Sequence, residues 1–387
     1  MYVYIIMLII SLFFIFLSEK SNNKKTKILY AILSVIPFIL VSALRYDVGT
    51  DYFYRYVPDY NSLVRGESVD NLEIGFKMLV RLCILITSDY QILFILTSII
   101  TISLFMYTIH KQSKNKFLSV AIFFLGGFFF QSLNILRQYI SIVLVFFTYK
   151  YLLEKKYWIF ILGVVLAFFI HNASIVCLIL LLLKEKEVLN LKSIIIIALV
   201  IFIFGTPLMN IFRNIVENTR FNVYLNSIYD RGEMRILTIL SNVILYIFMY
   251  MLYIVKKKNK KITNEDILYI NIQGITLIFI MLSSQFYLFF RIAYYFMIFQ
   301  IVSIPYFIKT IDIKELYDYY IINIMKNKIP IKENIVIKIP TILAVMIIFY
   351  FSVILTYTNI LNNDEEVTPY KCIINCEREN VIKDDKN

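Results

Sequence analysis

Apolar runs of roughly seventeen to twenty residues recur along the whole chain, separated by short polar segments. SIIIIALVIFIFGTPLM (193–209) and TILAVMIIFYFSVILTYTNI (341–360) approach the roughly 20 residues that a helix needs to cross about 30 Å of hydrocarbon. Such runs predict membrane segments at about 1–17, 28–44, 90–110, 117–131, 134–153, 157–171, 174–183, 193–209, 236–255, 265–283, 286–308 and 339–361. The segment at 174–183 is too short to cross alone and reads as a half-helix beside the end of its predecessor. Backbone polar groups in hydrocarbon must be satisfied within their own segment. The expected fold is therefore all-α: a polytopic integral membrane helical bundle of about 11–12 membrane helices. No long linker or internal repeat divides the sequence, and residues 1–387 read as one polytopic membrane domain.

The pattern changes at LEIGFKMLVRLCILITS (72–88), where Glu73, Lys77 and Arg81 fall four apart. They form one polar stripe on an otherwise apolar helix, which suits an interfacial amphipathic helix better than a span. Lysine-bearing loops at 19–27, 111–116, 154–156, 184–192, 256–261 and 309–338 then fall on one side. The positive-inside rule makes that side the cytoplasm. Both chain ends, the loops 45–89 and 210–235, and the tail 362–387 are expected outside.

Composition supports this reading, since 60% hydrophobic and 17% aromatic residues exceed what a soluble core of this size can bury. The first run, Tyr2 to Leu17, lacks a basic region before it and a small-residue cleavage site after it, and reads as a retained span. The net charge of +12 is carried mostly by lysine in the cytoplasmic loops, so it is a topology signal and nucleic acid is not an expected partner. Arginine is distributed differently. All eleven arginines fall in the expected outer segments or in the outer part of a span. Guanidinium is a permanently charged planar fork suited to bidentate contacts with phosphate or carboxylate.

Four polar clusters converge on the expected outer side. LRYDVGTDYFYRYVPDY (44–60) holds two arginines, three aspartates and five tyrosines, with Gly49 available for a positive-φ turn. QSLNILRQYIS (131–141) repeats Asn134, Arg137, Gln138 and Ser141 at helical spacing. An arginine inside a span costs at least about 2.5 kcal/mol on insertion scales and usually faces protein or water. Here a structural pair with Asp47 or Asp51 competes with a ligand role. FFIHNAS (168–174) places His171 at a span end, where neutral imidazole is a candidate proton acceptor. FYLFFRIAYYFMIFQIVSIP (286–305) embeds Arg291 in an apolar run followed by Tyr294 and Tyr295. Snorkelling to the nearby surface is the bland alternative there. The loop 212–235 adds four arginines, which suit sugar or phosphate contacts no better than simple solvation.

Cys83 and Cys177 lie in apolar runs, and Cys372 with Cys376 form a lone CxxxC that does not read as a zinc or disulfide motif. No Walker A loop, dinucleotide fingerprint or HExxH occurs. Neither a cofactor nor a metal is expected, and any substrate should be presented at the membrane surface.

SALRYDVGTDYFYRY, NILRQYISIVLVFFTYKYLLEKKYWIFILGVVLAFFIHNASIV, FFRIAYYFMIFQIVSIP and VTPYK resemble, in that order, signature blocks of the EpsG family of Wzy-type bacterial polysaccharide polymerases. The resemblance covers about residues 30–371. It implies polymerisation of oligosaccharide repeat units carried on undecaprenyl diphosphate, at the outer leaflet of the bacterial cytoplasmic (inner) membrane. Membrane lipid, and the flippase and chain-length regulator of the same pathway, are the implied partners. A mechanism consistent with it uses Arg137 and Arg291 as a diphosphate clamp with Arg45 close behind, to neutralise charge on the leaving group. His171 and Asp51 are the candidate catalytic bases. Tyr52 and Tyr54 are candidates to stack on sugar, and Asn134, Gln138 and Tyr294 to bind substrate. One rival is a GT-C type glycosyltransferase acting from polyprenyl-phosphate sugars, with Asp47 or Asp51 as its acidic residue. The other is a lipid-linked oligosaccharide flippase or transporter, which would favour internal repeats and midplane charges.

Overall fold

A computed structural model of the chain describes residues 1–70, 72–217, 225, 236–317, 319 and 333–375. Helices carry the described residues, with no strand among them beyond one isolated bridge between Arg45 and Cys372. In chain order the first helices are α1 (Tyr2–Lys20), α2 (Lys24–Leu33), α3 (Ile36–Ala43), α4 (Val57–Val64), α5 (Ile74–Ile86) and α6 (Gln91–Gln112). Next come α7 (Lys116–Leu125), α8 (Phe128–Asn134), α9 (Leu136–Leu153), α10 (Tyr157–Ile170), α11 (Leu180–Leu183) and α12 (Leu191–Glu217). The last are α13 (Ile236–Lys258), α14 (Asn264–Leu282), α15 (Leu288–Met297), α16 (Gln300–Thr310), α17 (Ile313–Tyr317) and α18 (Glu333–Leu355).

Seven helices among the described residues are long and apolar enough to cross a membrane, or nine if each of two bent pairs is one span. The protein is a multi-pass helical membrane protein. The bent pairs are α7 with α8, at 51°, and α15 with α16, at 41°. Gly127 supplies the left-handed residue (φ 79°) at the first bend, a conformation that costs glycine nothing. The remaining segments expected to span are α9, α10 and Asn172–Leu183. Helix α9 keeps the expected helicity but is diluted by Arg137, Gln138 and Lys150, while the other two are short.

Contacts divide the chain into two compact units. Met1–Phe147, Phe169–Asn172 and Met346–Asn387 form the first, and Thr148–Phe168 with Ala173–Val345 form the second.

In the first unit, α1 packs on α2 and α3, and α3 packs on α6. Residues 45–89 are more structured than the loop expected there. Tyr52–Tyr56 form a π-helical turn leading into α4, and Tyr52, Tyr56, Val57 and Tyr60 are buried with Phe76, Val80, Cys83 and Phe94. Tyrosines four apart share one helix face, and burying that face organises the segment. Helix α5 has 13 residues, too few to cross. It buries Phe76, Val80 and Cys83 while exposing Ile74, Met78, Leu82 and Leu85 on the opposite side, as an interfacial helix should.

In the second unit, α14 packs on α12, α13 and α15. Apolar walls alone do not fill its interior, because Asn242, Gln273 and Gln300 are buried together. The Gln300 amide donates to Asn242 Oδ1 (2.8 Å) and Gln273 Oε1 (3.1 Å), so the buried amides satisfy one another. A buried Lys256–Asp266 ion pair and a capping box from Thr263 and Asp266 fix the start of α14.

Candidate functional site

The end of α3 shows how the first unit handles a helix terminus. The last carbonyls of a helix have no partner within it and must find one elsewhere. Here the Tyr370 hydroxyl donates to Val41 O (3.0 Å), Arg45 Nη1 to Ser42 O (2.5 Å), Gln91 Nε2 to Ala43 O (2.7 Å), and the Ile373 amide to Leu44 O (2.9 Å). Two of those four donors belong to the tail after the last span.

Arg45 is 0% exposed. Its second fork nitrogen, Nη2, donates to Leu133 O (3.0 Å) in the last turn of α8, and its guanidinium lies over the Phe94 ring at 4.8 Å. The positive charge therefore sits at the negative ends of two helices, and no carboxylate pairs with it among the described residues. Burial pulls its pKa down to about 10, which leaves it charged at neutral pH. Arg45 is held by protein carbonyls, so the structure gives it a scaffolding task where a diphosphate contact was expected.

After Arg45 the chain turns through Asp47 (φ 51°) and Gly49 (φ 98°). Glycine is needed at the second position: besides the backbone angle, a Cβ there would come within 3.3 Å of Leu133 O. The close approach brings Thr50 and Asp51 to Asn134. Asn134 Oδ1 accepts from the Thr50 hydroxyl (2.8 Å) and from the Asp51 amide (2.9 Å). Its Nδ2 donates to Glu365 Oε2 (2.6 Å). Asp47 pairs with Lys371 of the same tail. The structure thus joins the Asp51 backbone to Asn134, with Asn134 buried and holding the loop.

Arg137 begins α9 and is 9% exposed. Glu73 is a carboxylate partner, with Nη1 donating to Oε2 at 2.6 Å. Glu73 N-caps α5, whose second residue, Gly75, lies against the backbone of Phe169. A Cβ on Gly75 would stand 2.7 Å from Phe169 O. Phe169 precedes His171 by two residues, so this contact ties the His171 turn to the helix that carries Glu73. His171 is partly buried there, and Gln138 is buried on α9.

Arg55, on the π-helical turn, reaches Asp59 (Nε to Oδ2, 3.9 Å). Burial holds the Asp59 carboxyl above its ordinary value, against the pull of Arg55 and Arg137. A π-turn places side chains at a spacing that an α-helix cannot, and such turns concentrate at functional sites. Tyr52 does not face a ligand. Its ring is 1% exposed and stacked on Phe94 (centroids 4.1 Å apart), and its hydroxyl donates to Gln91 Oε1. Tyr54, at 88% exposed, is the open aromatic of that stretch.

Arg291 and Tyr294 belong to the second unit, on α15. Arg291 is partly buried, and Tyr294 is buried against Phe290 (centroids 4.9 Å apart). Arg220, Arg231 and Arg235 of the loop 210–235, with Cys376 and Arg378, lie outside the described residues.

Sequence reasoning missed Glu73 as the partner of Arg137, Arg55 with Asp59, and Glu365. For Glu73 the signal was present, since it heads the polar stripe on α5. For Arg55 and Asp59 the four-residue spacing was visible once the segment was read as helical. Nothing local marks Glu365, which meets Asn134 across 231 positions. Among the described residues, no group of three or more His, Cys, Asp or Glu could hold a metal ion.

Over residues 27–325 the chain matches the model of a family described as the EpsG family. No curated protein and no solved structure matches it.

Proposed function

From the chain's membership of the EpsG family, a family of Wzy-type polysaccharide polymerases, we propose that it polymerises lipid-linked oligosaccharide repeat units. The family match carries this reading, and the charged cluster around Arg137 supplies its chemistry. The substrate is an oligosaccharide on undecaprenyl diphosphate at the outer leaflet of the bacterial cytoplasmic membrane, and both chain termini lie on that side. The bond between the anomeric carbon and the diphosphate oxygen breaks, and the diphosphate leaves with the electron pair. A hydroxyl at the non-reducing end of the acceptor unit attacks that carbon, and its proton passes to a protein base.

Charge grows on the diphosphate as the bond breaks, so a guanidinium already poised beside it lowers the barrier without reorganising. Arg137 is the leading candidate in the first unit and Arg291 in the second. Glu73 restrains Arg137 and keeps a nearly buried cation compensated while no substrate is bound. His171 and Asp51, both in the first unit, are the candidate proton acceptors. Tyr54 is the exposed aromatic available to a sugar ring, while Gln138 stands one residue beyond Arg137. Polysaccharide flippase and chain-length regulator are the partners expected before and after this step.

Lysine retains the charge of arginine but not its fork. In a strain lacking the native gene, R137K and R291K should each accumulate at wild-type level yet fail to restore long-chain glycan, with single lipid-linked units building up instead. Full-length polymer from both variants would remove these two arginines from the mechanism.

A further inference from the structure

The tail after α18 lies beyond the residues matched by the family, yet it is built into the first unit at the cluster described above. Asn363 shapes it: its Oδ1 accepts from the amides of Val367 (3.1 Å) and Thr368 (3.1 Å), and its Nδ2 donates to Thr368 O (2.8 Å). So shaped, the tail follows the Arg45–Asp51 turn. The Tyr46 amide donates to Lys371 O (3.0 Å), the Gly49 amide to Glu366 O (3.2 Å), and the Tyr4 hydroxyl to Val367 O (2.9 Å). Tyr370 and Ile373 complete the capping of α3.

Within this strap Glu365 touches Asn134, and the chemistry of the two groups dictates an orientation. An ionised carboxylate only accepts hydrogen bonds, whereas a side-chain amide has one accepting and one donating end. With Glu365 on one side, the NH2 of Asn134 must face it, and the amide oxygen must face Thr50 and the Asp51 amide. Reversing the amide would set oxygen against carboxylate and NH2 against the Asp51 N–H, which can only donate. Asn134 is buried, so water does not take over either end.

We propose that Glu365 is a positioning residue of the polymerisation site: by fixing the Asn134 amide, it fixes the backbone of Thr50 and Asp51. The strap is thus part of the machinery. Its catalytic purpose rests on the polymerase reading given above, while the contact itself does not.

Two readouts separate these. The first is the rate at which maleimide labels Cys372 in purified full-length protein carrying C376S, since Cys83 and Cys177 are buried and Cys372 pairs with Arg45 in the docked strap. The second is glycan chain length in the deletion strain. Losing a charge-assisted hydrogen bond in E365A should speed labelling about tenfold or more and shorten the glycan. N134D, which sets two carboxylates together, should do the same. The double variant N134D/E365Q restores a donor facing an acceptor, and both readouts should return toward wild type.

Wild-type labelling of E365A overturns the latch. Labelling that recovers in N134D/E365Q while the glycan stays short overturns the positioning role. Unchanged glycan in the deletion strain overturns the polymerase reading, and with it the catalytic purpose of the latch, whatever the thiol shows.

Discussion

The Arg137–Glu73 pair lends itself to a test that separates stability from chemistry. Both side chains are nearly buried, at 10% and 15% exposed, and the contact is 2.6 Å. Removing one member of a buried pair costs about 3–5 kcal/mol, chiefly because the other charge is left uncompensated. The residual exposure and the interfacial setting place this pair at the lower end, near 3 kcal/mol, which exceeds a hundredfold in the folded-to-unfolded ratio. R137A and E73A should each lose about that much. R137A/E73A leaves no orphan charge, so it should lose less than the sum by about 1–3 kcal/mol. If Arg137 stabilises the departing diphosphate, its removal also costs roughly a hundredfold or more in rate, and deleting Glu73 cannot restore that. Thermal unfolding in detergent reads the first quantity, and the ladder of lipid-linked glycans reads the second. The double variant should therefore be less destabilised than the sum of the two single variants and remain without polymer. Polymer returning in the double variant would show that Arg137 matters only as the partner of Glu73.

Two further outcomes test the frame around that pair. In G75A the new Cβ meets backbone, Phe169 O at 2.7 Å and its carbonyl carbon at 2.9 Å, so no side-chain rotation relieves it. Helix α5 must retreat by about 0.7 Å, at a cost of about 1–3 kcal/mol, and carry Glu73 with it. Lower thermal stability with shortened glycan is expected, and wild-type values for both would contradict the close approach. D59N tests the cost of the buried carboxylate. The folded-state pKa of Asp59 is raised above its ordinary 3.8. The native state therefore holds the proton more tightly, and the favourable contribution present below pH 3.8 is lost as pH rises through the folded value. D59N should accordingly stabilise the protein at pH 7 relative to wild type, with the advantage shrinking toward pH 4; an advantage that grows on acidification would refute the sign.

How far the sequence could be read depended on the range of each interaction. Membrane helices were legible because a span is a local property: the apolar length of α6, α13 or α14 is written in consecutive residues. Amphipathic α5 was legible for the same reason, through the spacing of Glu73, Lys77 and Arg81. The packing of residues 45–64 was obscured by its polar letters, although Tyr52, Tyr56 and Tyr60 already traced one face. Pairings were the least legible. Arg137 meets Glu73 because Gly75 lets α5 approach the backbone near His171, a steric fact that no charge pattern contains. Asn134 with Glu365 required knowing that the chain returns after its last span.

Two buried arginines of the first unit, Arg45 and Arg137, show why a buried charge does not by itself identify a ligand site. Burial penalises the charges of Arg45 and Arg137 alike, and each needs compensation. Arg45 obtains it from helix-end carbonyls that themselves lack intrahelical partners, so one side chain serves the ends of both α3 and α8. Each of its fork nitrogens lies on a backbone carbonyl. An anion that displaced those contacts would strip two helix ends of their donors, and its binding would be spent on repairing the fold. Glu73 compensates Arg137 differently, with a side chain on a short helix at the rim of the bundle, where a competing anion can share or take over the guanidinium while the helix termini stay satisfied. The nature of the compensating group, more than the depth of the charge, separates Arg45, held by backbone, from Arg137, which under the proposed function is the one suited to meet a diphosphate.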